Sequence, residues 1–371
     1  MAARGHRDEI RSGRTLKKCA PCPIAGHSIE DRDPLNAPQL MTTFLPTDRR
    51  LDKLVRLLSE NATVVVPGPK IATEIGVSRS TVWYWIEKLR ELGVGIKGHP
   101  STGYQLTRLP DLLLPSLLRP ELAEGELGHK VVHYFRIDST NTVALRLAAE
   151  GAPHGTVVVA EEQTAGRGRF GRVWYSERSS GIYFSVVLRP PLAPTVAPVL
   201  TLVAGVAAQA ALERATGLAA DIRWPNDLLL GGKKVCGILT EMSAEVDRLH
   251  AAVIGIGVNV NHRQIPEELR SIATSLSLEG GKVYSRAQIL TALLRELEQH
   301  YRLLLEAGGE AIARRWMALS SYGRDKRVRV LTGAGEFQAT TAGLDPSGAL
   351  RVRRDDGREE LLVAGEIVEV K

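Results

Sequence analysis

The spacing of apolar residues changes twice along this 371-residue chain, near residues 108 and 323. In residues 51–108 the spacing is that of short amphipathic helices, predicted over 51–58, 70–75 and 79–92. Ser78 is a suitable N-cap for the third helix. Two short strands, predicted over 94–97 and 104–106, follow around a turn that contains Gly and Pro. This order predicts a helix-turn-helix followed by a hairpin wing.

The rest of the chain has two further patterns. After a Leu- and Pro-rich connector, strands alternate with helices, which are predicted over 142–150, 199–216 and 286–307. Five short strands then follow, over 327–331, 336–342, 349–353, 359–363 and 367–370, as in a small SH3-like β-barrel. The predicted fold class is α+β. The predicted domains are a disordered extension (1–48), a winged helix-turn-helix (49–108), the connector (109–128), a catalytic α/β domain (129–322) and the SH3-like domain (323–371).

The basic excess lies in the first 108 residues. The chain carries 48 Lys and Arg against 42 Asp and Glu, a formal charge of +6. Residues 1–50 and 51–108 each contribute +3, whereas residues 109–371 hold 31 charges of each sign. A polyanionic partner is therefore expected at the N-terminal part.

Three cysteines, Cys19, Cys22 and Cys236, exclude a disulfide framework and favour a cytoplasmic location. Cys19 and Cys22 form a CxxC near His27, but a zinc site needs a fourth ligand, so we assign them to the extension. Met41 is a candidate for the true start of the protein. The uncharged stretch 190–212 has an apolar helical part of only 199–212. That is shorter than the ~20 residues of a membrane span, so we predict a buried helix and no membrane contact.

The most informative segment is 161–172, EEQTAGRGRFGR. Its glycines satisfy GxGxxG, but a strand follows them rather than the helix that a dinucleotide site requires. Glycines allow close backbone approach to an anion, and Arg167 and Arg169 supply forked guanidinium donors. The loop therefore suits a carboxylate and a phosphate held together. The alternative is a solvated Arg-Gly loop that binds RNA loosely.

Three other segments accompany this loop. Residues 138–141 (DSTN) follow a predicted strand and open a helix, so their side chains could also serve only as helix caps. Residues 223–227 (RWPND) precede a predicted hairpin with Gly231 and Gly232 at its turn, which places Lys234 at the start of the return strand. Alone, Lys233 and Lys234 are more typical of solvated turn charges. Residues 254–261 (IGIGVNVN) form a Gly-rich strand that another group can approach closely.

Four motifs in this order, GRGRFGR, RWPND, KKVCGIL and IGIGVNVN, resemble those of biotin protein ligases. With the winged helix-turn-helix in front, residues 51–371 resemble the bifunctional bacterial form, which is also the biotin operon repressor. The resemblance implies a central mixed sheet with helices, like that of class II synthetases, and an SH3-like C-terminal domain. One departure is Arg223, where the family often has Lys, so the geometry of its contact is in question.

The resemblance implies a two-step reaction. Biotin and ATP, with Mg²⁺, give biotinyl-5′-AMP and pyrophosphate, and the biotinyl group then passes to a lysine of the biotin carboxyl carrier protein of acetyl-CoA carboxylase. Arg167, Arg169 and Lys234 would be the catalytic cations. The implied biotin-binding residues are Ser139, Thr140, Asn141, Gln163, Arg167, Gly168, Arg169, Lys234 and Gly237. The implied nucleotide side comprises Arg223, Asn226, Asp227 and Asn259, with Mg²⁺ near Asp227.

This composition suits that chemistry because adenylation joins two anions that must both be neutralised. Trp174 and the Gly-lined strands could cover the apolar bicycle of biotin, while Ser, Thr and Gln satisfy its polar edge. Two rival functions remain. One is a lipoate–protein ligase, which shares the acyl-adenylate logic, and the other is a biotin-sensing transcription factor without ligase activity.

The third predicted helix is the candidate DNA reader. Its predicted buried face is Val82, Ile86, Leu89 and Leu92, and Trp83 and Trp85 cannot both be buried at their spacing. Its open face offers hydroxyls and cations that suit contacts with operator DNA, namely Arg79, Ser80, Thr81, Tyr84 and Lys88. The resemblance implies that bound adenylate promotes a homodimer and so couples biotin supply to repression. The alternative is a retained fold without operator function.

Overall fold

The computed structural model describes residues 46–108, 111–122, 125–245 and 248–370. The predictions for Cys19, Cys22, His27 and Met41, and for most of the 1–48 extension, lie outside the described residues. The predicted domain limits stay predictions.

The N-terminal part is built from three helices and a hairpin. Ser78 caps the third helix by accepting a hydrogen bond from Thr81 N (3.1 Å), and Gly76 ends the second helix in the left-handed region. The predicted helix-turn-helix and wing are confirmed. The predicted buried face needs one correction, because Trp85 is buried there and Leu92 only partly. The elements are α1 (Arg49–Glu60), α2 (Gly68–Ile75), α3 (Arg79–Glu91), β1 (Gly95–His99) and β2 (Gly103–Arg108).

The connector contains a helix, α4 (Pro115–Leu122), that is not predicted from the sequence. Pro115 occupies its first position, where the missing N–H costs nothing. The leucines that precede it alternate between two cores: Leu112 and Leu114 pack with the N-terminal helices, and Leu113 packs with the central domain. The connector is therefore a packed segment that shares its side chains between both parts.

The central part is a seven-stranded mixed sheet of order β3-β4-β5-β9-β8-β7-β6, in which only β3 and β4 are parallel. Strand β4 is buried on both faces, because Val157 and Val159 face one core while Val158 and Ala160 face the other. The strands are β3 (Val131–Tyr134), β4 (Thr156–Ala160), β5 (Gly181–Leu188), β6 (Asp221–Arg223), β7 (Asp227–Leu230), β8 (Lys233–Ala244) and β9 (Leu249–Asn259).

Helices cover both faces of this sheet: α5 (Thr140–Ala149) packs on one, and α6 (Ala197–Thr216) and α8 (Arg286–Ala318) pack together on the other. A short helix, α7 (Leu276–Gly280), precedes α8. The segment Pro194–Thr216 is apolar and long enough to cross a membrane, but 71% of its apolar window is buried within the protein, which confirms the predicted buried helix. The predicted end at Ala307 is confirmed by a break in α8 at Gly308 (φ 74°, ψ 178°), and the helical segment that follows it to Ala318 was not predicted.

The C-terminal part is a five-stranded antiparallel sheet of order β13-β12-β11-β10-β14. Its inward residues alternate along each strand, as with Val328 and Val330, and they join the central core. The five predicted strands are confirmed within about two residues at most ends. They are β10 (Arg324–Thr332), β11 (Gly335–Leu344), β12 (Leu350–Arg354), β13 (Glu359–Leu362) and β14 (Glu366–Glu369).

Candidate active site

Residues 161–172, here called the Gly-Arg loop, follow β4 and lead towards β5. The loop is a tight turn that is held by hydrogen bonds between its own backbone groups and those of the next residues. Gly168 N donates to Arg172 O (2.7 Å) and Trp174 N donates to Gly166 O (2.8 Å). The loop contains a single 3₁₀ turn, Arg169–Gly171, and no α-helix follows the glycines. The rejection of a dinucleotide fingerprint is therefore confirmed.

Trp174 lies flat against two glycine strands. A Cβ on Gly257 would come within 2.6 Å of the indole, and one on Gly237 would come equally close. On the same strand as Gly257, Gly255 leaves room for the Asn141 amide, which a Cβ there would overlap at 2.0 Å. The predicted close approach to the Gly-rich strand is confirmed, and the approaching groups are an indole ring and an amide.

A polar network joins the first turn of α5 to the loop that follows β4. Thr140 N donates to Gln163 Oε1 (2.8 Å), and Gln163 Nε2 donates to Ser176 Oγ (3.0 Å). Ser185 Oγ lies within hydrogen-bonding distance of Thr140 Oγ1 (2.8 Å) and of Asn141 Oδ1 (2.6 Å). Three predicted residues, Thr140, Asn141 and Gln163, are thus brought together.

Glu241, which no motif singled out, extends this network. It accepts from Asn141 Nδ2 (2.9 Å) and from Arg167 Nη2 (2.8 Å). Ser139 sits at the N-cap of α5 without a side-chain cap bond, so its hydroxyl does not serve as a helix cap. Glu241 was missed because its contacts cross 74 and 100 residues of sequence.

A second group of charges, here called the site cluster, consists of Arg223, Asp227 and Lys234. Asp227 Oδ2 accepts from Arg223 Nη2 (2.8 Å), and Lys234 Nζ lies 2.5 Å from Asp227 Oδ1. Burial would raise the pKa of Asp227, but the charges of Lys234 and Arg223 hold it below its usual range. Lys234 Nζ is also 5.4 Å from the centre of the Trp174 ring. The hairpin prediction for Gly231 and Gly232 is confirmed, whereas Lys234 is an ion-pair partner rather than a solvated turn charge.

Asn226 and Asn259 hold the backbone beside this cluster. Asn226 Nδ2 donates to Ile238 O (2.7 Å), and Asn259 Nδ2 donates to Thr274 O (2.9 Å). Thr274 N in turn donates to Lys234 O (2.9 Å). Both amides therefore shape the walls around Lys234.

Two arginines of the Gly-Arg loop donate hydrogen bonds to residues of the C-terminal part. Arg169 Nη1 donates to Gly365 O (3.0 Å), and Arg172 Nη1 donates to Glu366 Oε1 (2.8 Å). Phe170 stays exposed at the tip of the loop. Arg169 also lines a small cavity together with Trp224 and Ile238, so it reaches from the loop to the central sheet.

Three buried side chains, His133, Glu161 and Arg286, form a further group of charges, here called the interior cluster. Glu161 Oε2 accepts from Arg286 Nη2 (2.8 Å), and Glu161 Oε1 lies 3.2 Å from His133 Nε2. Glu161 Oε1 also accepts from Leu113 N in the connector (2.8 Å). Burial would raise the pKa of Glu161, but Arg286 and His133 lower it to about 2. The cluster ties the start of the Gly-Arg loop to α8 and to the connector.

A mixed sheet with an Arg-containing loop, a group of paired charges beside a tryptophan ring and a small C-terminal sheet defines a protein of the biotin and lipoate ligase class. The Biotin/lipoate A/B protein ligase family model matches residues 134–259, an HTH domain model matches 50–105, and a Biotin protein ligase C terminal domain model matches 325–368. The chain belongs to the biotin protein ligase family, in the form that carries an N-terminal helix-turn-helix.

Relatives with both parts support this membership. The bifunctional ligase/repressor BirA of Bacillus subtilis is 38% identical over 314 residues, which cover 84% of this chain and 96% of that protein. BirA of Escherichia coli is 30% identical, over 82% and 92%. The structure of the biotin protein ligase from Aquifex aeolicus in complex with biotin and ATP is similar with a TM-score of 0.57 and 30% identity, over 66% of this chain and 99% of that one.

Proposed function

We propose that this chain is a biotin–[acetyl-CoA-carboxylase] ligase. Biotin and ATP form biotinyl-5′-AMP and pyrophosphate, and the biotinyl group passes to a lysine of the biotin carboxyl carrier protein. The observation that carries this proposal is the position of Lys234, between the glycine-backed Trp174 ring and the Asp227 carboxylate. The Trp174 ring offers an apolar wall, and Lys234 can exchange Asp227 for a substrate anion. This pair suits a small apolar acid whose carboxylate has to approach a phosphate group.

The biotin side of the pocket would be formed by the polar network and the Gly-Arg loop. In adenylation a biotin carboxylate oxygen attacks the α-phosphorus of ATP, and the bond to the β-phosphate breaks. Lys234, Arg167 and Arg169 would neutralise the two anions as they approach. The biotin-binding set is Ser139, Thr140, Asn141, Gln163, Arg167, Gly168, Arg169, Lys234 and Gly237.

On the nucleotide side, Arg223 and Asp227 would contact the phosphates, while Asn226 and Asn259 hold the wall. Asp227 does not fit a direct Mg²⁺ ligand, because its two oxygens already face a guanidinium and an ammonium. Mg²⁺ would therefore arrive on the phosphates of ATP. The lowered pKa of Asp227 also makes it a weak acceptor for the proton of the acceptor lysine.

The test is biotin-dependent exchange between ATP and pyrophosphate, followed by transfer to a carrier domain. Biotin should support both reactions, and lipoate should support neither. Exchange with lipoate alone would favour the rival lipoate ligase. Binding of biotin without exchange would favour a sensor that lacks ligase activity.

We further propose that the N-terminal part represses a biotin operon by binding operator DNA. This function is supported by the helix-turn-helix with its wing and by relatives named as ligase/repressors. Biotinyl-AMP would promote a homodimer in the cytoplasm, and the dimer would contact two half-sites. In gel shifts with biotinyl-AMP, binding should weaken steeply with salt. The absence of a shift at low salt would leave only the ligase.

A further inference from the structure

On the predicted open face of α3, Arg79 and Ser80 are exposed, whereas Thr81, Tyr84 and Lys88 are only partly exposed. The hydroxyls of Ser80 and Thr81 each lie 2.8 Å from Ser78 Oγ, at the start of the helix. Lys88 Nζ is held by Glu91 (2.8 Å), and its side chain is partly covered. Several of the predicted DNA contacts are therefore already engaged with neighbours on their own helix.

Trp83 occupies the middle of this face. Its side chain is 57% exposed, whereas Trp85, two residues later, is 1% exposed within the core. Trp83 lies one turn after Arg79, so the two side chains share a face of the helix. Within the described part of the chain, Trp83 makes no hydrogen bond, ring contact or cation contact.

Tryptophan is enriched at interfaces because its ring combines a large apolar area with a polar N–H group, so an indole exposed on this helix face is a candidate contact with a ligand. The charge of this part of the chain selects the occupant. Residues 51–108 carry a net charge of +3, Glu87 one turn after Trp83 is neutralised by Arg90, and the helix N-terminus adds a partial positive charge beside Arg79. The N-terminal half of a recognition helix meets base edges in the major groove, where the thymine methyl is the apolar feature.

We propose that Trp83 is a specificity-determining residue that reads a thymine methyl group in the major groove. This inference rests on the proposed operator binding. Arg79, on the same face, contacts phosphate or a purine edge and supplies the salt-dependent part of the affinity.

The experiment selects duplexes from a randomised library with the full-length protein and biotinyl-AMP. Trp83→Ala is compared with the wild type and with Val64→Ala, which removes an exposed apolar residue outside the recognition helix. The selected wild-type motif should contain a thymine whose replacement by deoxyuridine weakens wild-type and Val64→Ala binding by roughly tenfold. Trp83→Ala should bind both duplexes equally, with an unchanged salt slope.

The outcomes separate this inference from the function on which it rests. A motif that Trp83→Ala still reads, including its thymine methyl, overturns the role of Trp83 but keeps the repressor. Failure of the wild type to enrich any motif overturns both. A change in dimerisation without a change in base preference assigns Trp83 to a protein contact and also overturns the role. An unchanged melting transition, together with an unchanged salt slope of non-specific DNA binding, shows that the N-terminal part of Trp83→Ala is folded.

Discussion

The site cluster and the interior cluster each place one carboxylate between two basic groups, yet they differ in access to water. In the site cluster the side chains of Arg223 and Lys234 are 22% and 29% exposed, whereas Arg286 and Glu161 in the interior cluster are each 1% exposed. A partly exposed cation can exchange its carboxylate for a substrate anion, but a sealed one cannot. The same ion-pair chemistry therefore serves a reaction in one place and holds the fold together in the other.

The largest effect should come from breaking the interior cluster. Glu161→Gln leaves Arg286 buried without its main counter-charge, so the free energy of unfolding should fall by about 3 kcal/mol. Urea unfolding at neutral pH measures this loss. The control is Glu162→Gln, which removes the partly exposed partner of the exposed Arg136 and should cost less than about 1 kcal/mol. Equal losses in the two variants would contradict the distinction between sealed and exposed pairs.

The stability difference between the wild type and Glu161→Gln depends on pH through the pKa of Glu161 in the wild type. The folded-state pKa is about 2 and the ordinary value is 4.5, so the carboxylate stabilises the fold fully above the ordinary value. That stabilisation is lost as the pH falls through this interval. The difference in stability between wild type and Glu161→Gln should therefore be constant near neutrality and shrink between pH 4.5 and pH 2.

In the site cluster the corresponding change should affect activity more than stability. Lys234→Ala should raise the barrier to adenylation by about 2–4 kcal/mol, because one charge that stabilises the transition state is lost. Arg223 still pairs with Asp227, so the melting temperature should change much less than in Glu161→Gln. Biotin-dependent exchange measures the rate, and Lys233→Ala is the matched control. An unaltered exchange rate would refute the catalytic role of Lys234.

Local features of the fold and of the site could be predicted from the sequence. The Ser78 cap, the Gly231–Gly232 hairpin and the Arg-Gly loop each depend on residues a few positions apart. The interior cluster could not be predicted, because Glu161 and Arg286 are 125 residues apart and only the packing of the start of α8 against the end of β4 brings them together. The sequence shows that Glu161 carries a carboxylate, but it does not show that Arg286 from a distant helix will pair with that carboxylate and exclude water from it.

The same limit explains the two helical segments that were not predicted. Helix α4 owes its place to leucines that pack on two different cores, and the segment after the break at Gly308 is held because Ile312 and Trp316 are buried in the central core. Glu241 entered the site because α5 packs on β8, which places Asn141 beside it, and because the Gly-Arg loop brings Arg167 to the same point. In each case tertiary packing, rather than local preference, decides the outcome.

A smaller effect is expected at the Gly-Arg loop. Arg169→Ala removes a charged donor from the proposed phosphate side, so biotinyl-AMP should dissociate roughly ten- to a hundredfold faster, the scale of a lost charged hydrogen bond. Release of labelled adenylate from the purified protein measures this rate. Arg178→Ala, an exposed arginine outside the loop, should release it at the wild-type rate. An unchanged half-life in Arg169→Ala would remove this residue from the site.

The smallest effect tests whether the site cluster needs the shape of its arginine or only its charge. Arg223→Lys keeps the positive charge beside Asp227 but replaces a planar fork with a shorter, single ammonium. Since Lys234 stays in place, adenylation should slow by about 1 kcal/mol or less, on the scale of one hydrogen bond. Arg223→Ala, which also removes the charge, should slow exchange more. If Arg223→Lys were as slow as Lys234→Ala, the fork would bind substrate directly, and the two cations of the site cluster would have separate roles.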